Sequence, residues 1–157
     1  MSIIKKFIFI IFIATFCNLV NAEGLKKMGT HKDWETYVIK SDAGKVCFAQ
    51  SKPVLQAPKT SEREARLFIS FRPNEKIKDE ISITAGYIFN KKNLITAKSG
   101  KNKYKFDIAT ENFAWMADTK QEKKMIKTMK KGSRIMITGY NQKGSQTIDH
   151  YSLLGFT

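Results

Sequence analysis

The stretch Arg66-Leu67-Phe68-Ile69-Ser70-Phe71-Arg72 decides the fold class of this 157-residue chain. Successive side chains of a β-strand point to opposite faces, so Leu67, Ile69 and Phe71 share one face and the residues between them share the other. Pro73 follows directly, and proline cannot donate to a strand ladder. The stretch therefore predicts a strand that ends at Arg72.

Similar short segments recur along the chain, with turn-forming residues between them. We predict strands at residues 34–39, 45–50, 66–72, 81–85, 95–98, 103–108, 113–115, 134–140 and 146–156. Ser99-Gly100-Lys101-Asn102 is a strong hairpin turn. Residues 51–64 predict a surface loop because they contain two prolines and a polar run. Many short strands with turns between them favour an antiparallel sandwich or barrel.

One segment has the period of a helix instead. Asp118 is a candidate N-cap, with Gln121 three residues later, and Gly132 stands where a helix would end. Between them, Met125, Ile126 and Met129 fall on one arc, and a set of lysines falls on the opposite arc. The pattern predicts one short amphipathic α-helix lying on a sheet.

The first 22 residues have the pattern of a secretory signal peptide. Lys5 and Lys6 precede an apolar run, and Val20-Asn21-Ala22 places small residues before a cut. The alternative is an uncleaved membrane anchor, but the apolar run is shorter than the ~20 residues that a spanning helix needs. We expect cleavage after Ala22, a single domain at residues 23–157 with no transmembrane segment, and a location in the periplasm or on the outer cell surface.

The chain is strongly basic, with 28 Lys and Arg against 14 Asp and Glu and a formal net charge of +14. Such a field attracts anions, including lipid head groups, lipopolysaccharide phosphates, acidic glycans and nucleic acid. Export argues against nucleic acid as the partner. Loss of Cys17 with the signal leaves Cys47 as a lone thiol, for which a buried structural role is favoured over a reactive or cross-linking one.

Residues suited to catalysis are sparse. His31 and His150 are the available general bases near neutral pH, and His31 falls in a loose polar lead. Asp149 adjoins His150, but neighbours on a strand point to opposite faces, which predicts that they do not act together. Two histidines and one cysteine offer no spacing for a zinc site. We therefore predict no catalytic residue, no metal and no cofactor, and a protein that is not an enzyme.

The lysines of the predicted helix are the best local candidate for a binding surface. The candidate residues for binding an anionic surface are Lys120, Lys123, Lys124, Lys127 and Lys131. The alternative is an ordinary solvated helix face that is rich in lysine by composition. Binding to an anionic envelope surface would depend on salt, whereas an ordinary face would not bind.

Motifs along the chain resemble the invasion-associated locus B family of exported proteins, known mainly from alphaproteobacteria. The longest match is the closing Asp149-His150-Tyr151-Ser152-Leu153-Leu154-Gly155-Phe156. The shorter matches are Asp33-Trp34, Lys45-Val46-Cys47-Phe48 with Pro53, Arg72-Pro73 through Glu80, Ser82 and Gly86-Tyr87-Ile88-Phe89, Ala114-Trp115, Met129-Lys130-Lys131-Gly132-Ser133, Gly139 and Gly144. The chain departs from the founding members, which look disulfide-bearing, because it has Asn112-Phe113-Ala114-Trp115 where another cysteine is expected.

The resemblance implies an immunoglobulin-like antiparallel β-sandwich in the periplasm or on the cell surface, in a family linked to host-cell invasion and without a defined catalytic activity. We therefore expect an exported, non-catalytic envelope or surface-interaction protein, with envelope components, anionic lipid, lipopolysaccharide or another protein as partner. Two alternatives stay open. One is a periplasmic chaperone or assembly factor that binds client strands at a sheet edge, and the other is a hydrolase with an unrecognised site.

Overall fold

The computed structural model describes residues 24–42, 44–59 and 63–157, so the predicted signal peptide lies outside the described residues. Within these ranges twelve strands and one α-helix form. The strands are β1 Lys26–His31, β2 Trp34–Ser41, β3 Gly44–Ser51, β4 Leu55–Ala57, β5 Ala65–Arg72, β6 Ile77–Ala85, β7 Ile95–Ser99, β8 Asn102–Phe106, β9 Ile108–Thr110, β10 Phe113–Trp115, β11 Arg134–Tyr140 and β12 Gln146–Ser152. The helix α1 spans Thr119–Met129.

The strands form two antiparallel sheets. The first sheet has the order β1-β2-β3-β5-β6-β10-β9, and the second has the order β4-β12-β11-β7-β8. The alternation of Arg66–Arg72 sets the register of the first sheet, in which Ile69 lies opposite Ala49 on one side and Ile81 on the other. The chain passes between the sheets several times, so neighbouring strands in sequence do not always share a sheet.

A single apolar core lies between the inner faces of the two sheets. The first sheet contributes Trp34, Leu67, Ile69, Ile81 and Ile83, and the second contributes Ile95, Phe106, Ile135, Ile137 and Tyr151. Trp34 is buried, its indole donates to the Ser152 carbonyl at 3.0 Å, and its ring lies 4.9 Å from that of Phe156. The two sheets and their shared core form an antiparallel β-sandwich with one helix.

Helix α1 closes one side of this core with the face that the sequence predicts. Asp118 is the N-cap, and its side chain accepts a hydrogen bond from the Lys120 amide at 2.8 Å. Met125, Ile126 and Met129 are buried. Glu122 is also buried, and its Oε1 accepts the Ile81 amide hydrogen bond at 3.0 Å. The helix is therefore fixed to β6 by apolar packing and by one buried hydrogen bond.

A buried ion pair joins the two sheets at one end of the sandwich. Arg63 Nη2 lies 2.5 Å from Asp149 Oδ1 and Nη1 lies 3.0 Å from Oδ2, with side-chain exposures of 9% and 3%. Arg63 Nη1 also donates to the Ala85 carbonyl at 2.9 Å, and Gln56 Nε2 donates to Asp149 Oδ1 at 3.3 Å. The guanidinium carbon lies 5.6 Å from the centre of the Tyr87 ring. Because Asp149 is on β12 and Ala85 ends β6, this cluster connects the sheets directly.

The structure differs from the sequence prediction in two segments near the N-terminus. The lead before residue 34, which we predicted to be loose, contains β1, an edge strand of mostly exposed residues with a register shift between Lys27 and Gly29. The predicted loop at residues 51–64 contains β4, which pairs with β12. Neither strand has a clear apolar alternation, because the residues of β1 are mostly exposed and β4 has only three residues.

Two further segments end earlier than predicted. The strand predicted at 103–108 is two strands in different sheets, separated at Asp107, whose carboxylate accepts the Ala117 amide at 2.8 Å. The last strand ends at Ser152 rather than Phe156, and Gly155 follows with a φ of +90°. A Cβ at Gly155 would lie 1.8 Å from the His31 carbonyl oxygen, so the chain turns there only because glycine allows it.

Candidate functional site

The predicted basic surface of α1 exists as a continuous exposed stripe. We call it the lysine face, and it consists of Lys120, Lys123, Lys124, Lys127 and Lys131, all exposed. At 100° per residue these five positions fall within an arc of about 100°, directly opposite the buried side of the helix. From the first to the last lysine the stripe is ~16 Å long, at ~1.5 Å per residue. The apolar packing of α1 thus leaves its four lysines on the solvent side, and Lys131, two residues after the helix ends, is exposed beside them.

A polar depression adjoins the C-terminal end of the lysine face. It lies between the end of α1, the β7–β8 turn and the start of β11, and we call it the basic depression. Its lining contains the cations Lys127, Lys131 and Arg134 and no carboxylate, together with polar groups of Ser99, Asn102 and Ser133. The Ser99 hydroxyl donates to the Arg134 carbonyl at 2.9 Å, which connects the turn to β11. Three cations beside hydroxyl and amide groups match the requirements of a phosphate group.

The charges of the lysine face are not neutralised within the part of the chain that the structure describes. None of its five lysines forms an ion pair there, and neither does Arg134. The other three arginines are paired, Arg63 with Asp149, Arg66 with Glu64, and Arg72 with Glu75 and Glu80. Three of the four arginines are therefore paired within the chain, while the helix lysines remain available for an external anion.

The two histidines lie on strands of different sheets. His150 lies half-buried on β12, and its Nδ1 is buried without a hydrogen-bond partner. Asp149, its neighbour on β12, is buried and pairs with Arg63. His31 is exposed on β1 rather than in a loose lead. In residues 24–42, 44–59 and 63–157 no group of three His, Cys, Asp or Glu side chains is arranged to hold a metal ion.

Cys47 is half-buried on β3 and has a free thiol. Its neighbours in the sheet are Val38 on β2 and Phe71 on β5. The thiol is thus less enclosed than the fully buried structural cysteine that the sequence favoured.

Sequence reasoning missed an aromatic surface on the outer face of the first sheet. Its rings form a series of contacts with centroid distances of 5.2 to 6.1 Å, and the series consists of Tyr37, Phe48, Phe68, Phe113 and Trp115. All five are half-buried, since they cover one another. Part of this surface was detectable in the sequence, because the alternation within each strand places Tyr37 and Phe68 on the face opposite the core residues. The sequence does not indicate that these rings lie side by side, because that depends on the order of the strands in the sheet.

The edges of both sheets are poorly suited to receive another strand. β4 and β9 have three residues each, and β1 has a register shift and two lysines. β8 carries Lys103 and Lys105, both exposed. Short edges, bulges and edge lysines are devices that discourage pairing with a further strand. The geometry therefore gives the chaperone alternative no support.

The fold and the site together define a class of protein, an antiparallel β-sandwich whose helix presents a basic surface. The model of the family described as "Invasion associated locus B (IalB) protein" matches residues 34–157, and the chain belongs to this family. The match begins at Trp34, so β1 lies outside it. Comparison with curated proteins gives no match.

A solved structure with the same fold is the invasion associated protein B of Bartonella henselae. The two chains are 11% identical with a TM-score of 0.58, and the alignment covers 83% of this chain and 90% of the other. At this identity the likeness concerns the fold, and it confirms the antiparallel β-sandwich with one helix. Among the described residues, no helix combines the length and the apolar character that crossing a bilayer demands.

Proposed function

We propose that this protein is an exported, non-catalytic envelope protein that binds anionic surfaces through the lysine face. The observation that carries the proposal is the five-lysine stripe, exposed, without ion pairs in the described residues and continuous with a depression lined by three cations. The family and the Bartonella henselae protein are both named for invasion, which supports a role in surface contact. The predicted signal peptide supports a periplasmic or surface location.

The geometry gives a magnitude for this binding. Basic residues near an anionic leaflet each contribute about 1 kcal/mol, and the attraction falls off within a Debye length of ~8 Å at physiological salt. Because four of the lysines share one side of α1 and Lys131 follows directly after the helix, the five ammonium groups can approach a flat surface together. Neutralising four of them should therefore cost about 4 kcal/mol, which is about a thousandfold in affinity.

The test compares two variants of equal net charge. The first replaces Lys120, Lys123, Lys127 and Lys131 by glutamine, and the control replaces Lys52, Lys59, Lys91 and Lys92, which are exposed lysines outside the helix. Binding to vesicles containing phosphatidylglycerol or lipopolysaccharide is measured by co-sedimentation at low salt and at ~1 M salt, where the Debye length is ~3 Å.

We expect the helix variant to lose at least a hundredfold in affinity, the control to lose less than tenfold, and the parent chain to dissociate at high salt. Equal losses in the two variants would mean that net charge alone attracts the surface. Binding that is unchanged in the helix variant would exclude the lysine face.

A further inference from the structure

A second candidate site lies on the other side of α1, where a cavity of about 330 Å³ separates the helix from the inner face of the first sheet. The sheet lines the cavity with Thr36, Ala49, Ile69 and Phe71, and the helix lines it with Ile126 and Lys130. Sites for small molecules in proteins have volumes of ~300 to 1,000 Å³ and mostly apolar walls. The cavity is therefore large enough and apolar enough to take a hydrocarbon group.

The apolar inner face continues beyond the cavity towards the β2–β3 turn. Val38 lies opposite Cys47, and Cys47 lies opposite Phe71 on the next strand. Val38 and Cys47 are half-buried and Phe71 is 39% exposed. A second depression at this end is lined by Val38, Lys26, Lys40 and Lys45, and Val38, Cys47 and Phe71 lie side by side between it and the cavity. We call the cavity, this row of residues and the depression together the inner groove.

Cations surround the open end of the inner groove. Lys40 on β2 lies opposite Lys45 on β3, two residues beyond the pair of Val38 and Cys47. On the other side of β2, Lys26 of β1 lies opposite Val38. Asp42 is the acidic residue in the lining there, which leaves an excess of two positive charges at the open end. Lys130 lies at the other end, in the lining of the cavity, together with Asp79. Within the described residues none of the four lysines forms an ion pair.

From these observations we propose that the inner groove binds a lipid-derived anionic amphiphile. Its acyl chain lies along the floor of Ile69, Phe71 and Val38, and its phosphate or carboxylate head lies between Lys40 and Lys45. The distance from Thr36 at the cavity to Lys40 at the open end is ~13 Å, at ~3.3 Å per strand residue. The cavity end of the groove is thus mostly apolar, with Lys130 and Asp79 as its charged side chains, and the open end is positive. An acyl chain with an anionic head complements this arrangement.

Other occupants fit the inner groove less well. A second copy of this chain has the same net charge of +14 and would bring lysines against lysines. A client strand needs free backbone groups, whereas β2, β3 and β5 are each paired on both sides. The outer aromatic surface is a weaker candidate site than the inner groove. Its charged neighbours are all paired within the chain, namely Glu35, Arg66, Arg72 and Glu80, so they do not favour a ligand of either charge.

The proposal is tested by protection of Cys47, a half-buried free cysteine that stands between Val38 and Phe71 in the strand register. The full chain is treated with a thiol-alkylating reagent, and labelling is measured on the Cys47 peptide by mass spectrometry, which keeps Cys17 out of the signal. The probes are alkyl phosphates of increasing chain length, decanoate, decanol and inorganic phosphate. Each buried methylene should strengthen binding about fourfold until the groove is filled.

We expect decyl phosphate and decanoate to protect Cys47 and inorganic phosphate to give no protection. Replacing Lys40 and Lys45 by glutamine should weaken decyl phosphate about five- to tenfold, whereas the control with glutamine at Lys91 and Lys92 should bind normally. The four-lysine variant of the helix keeps Lys130 and should bind decyl phosphate like the parent, so this test is independent of the proposed surface binding.

Three results would overturn the proposal. Protection that does not depend on chain length would exclude an acyl chain on the floor. Equal affinity for decanol and decyl phosphate would exclude the lysines as the head-group site. Protection by inorganic phosphate alone would assign the cations to a free anion rather than to a lipid.

Discussion

Replacing Asp149 by alanine should be among the most destabilising single substitutions in this domain. Asp149 and Arg63 are 3% and 9% exposed and are joined by two hydrogen bonds of 2.5 and 3.0 Å. Without the carboxylate, Arg63 keeps its hydrogen bond to the Ala85 carbonyl, but its Nη2 loses its acceptor. Its Nε already lacks a hydrogen-bond partner, so the buried guanidinium would have two unpaired nitrogens. Leaving one charge of a buried pair alone costs about 3–5 kcal/mol.

The free energy of unfolding is measured by urea titration, followed by the fluorescence of the buried Trp34 and the half-buried Trp115. In a domain of this size a loss of 3–5 kcal/mol corresponds to a fall in Tm of roughly 10–20 °C. Replacing Glu64 by alanine is the matched control. It removes the carboxylate of the Arg66 pair, whose Glu64 side chain is 83% exposed, and should cost less than about 1 kcal/mol.

A double substitution tests whether the cost comes from the unpaired charge. Arg63→Met with Asp149→Leu removes both charges, and it should recover more than half of the stability that Asp149→Ala loses, because buried ion pairs can be replaced by apolar groups at little cost. The reasoning is wrong if Asp149→Ala costs no more than Glu64→Ala, since the ion pair would then contribute little to joining the sheets.

Three further predictions concern two carboxylates and the export signal. Burial raises the pKa of Glu122 above 4.5, so the stability that its neutral form provides is present below pH 4.5 and is lost as the pH rises through the raised pKa. Glu122→Gln should therefore become more stable than the parent towards neutral pH, whereas Glu122→Ala should cost about 1–3 kcal/mol because the Ile81 amide loses its acceptor. Thermal melts across the pH range check both, and a parent more stable than Glu122→Gln at neutral pH would contradict the burial argument. Hydrogen bonds from Lys27, Gln50 and Tyr37 lower the pKa of Glu35 to about 2, so its contribution is present above pH 4.5 and is lost as the pH falls towards 2. The stability of Glu35→Gln should vary less than that of the parent over this window, and parallel curves would refute the assignment. Finally, the exported protein should begin at Glu23, which N-terminal sequencing of the envelope fraction determines, and recovery of the uncleaved chain would favour the membrane anchor.

The periodic elements were predictable from the sequence, and the non-local ones were not. Residues 66–72 and the helix were found because their apolar side chains repeat at the strand and helix periods over enough residues to be unambiguous. The same period places all five lysines of the lysine face on one side. β1 and β4 were missed because an exposed edge strand and a three-residue strand have little apolar pattern to detect.

The contacts between the sheets depend on the three-dimensional arrangement. Arg63 and Asp149 are 86 residues apart, and nothing in either segment indicates the other. The inner groove combines residues of β2, β3 and β5, which strand order makes neighbours and no local pattern indicates. The basic depression likewise needs the β7–β8 turn beside the end of α1. These features became visible only with the fold.

The most direct test of the proposed surface binding is a footprint of lysine reactivity. The full chain is acylated briefly with and without vesicles of anionic lipid, and the modification of each lysine is measured by peptide mass spectrometry. The proposal predicts that Lys120, Lys123, Lys124, Lys127 and Lys131 become severalfold less reactive on the vesicles, while Lys52, Lys59, Lys91 and Lys92 keep their reactivity. Protection spread evenly over all lysines, or confined to those outside the helix, would contradict it.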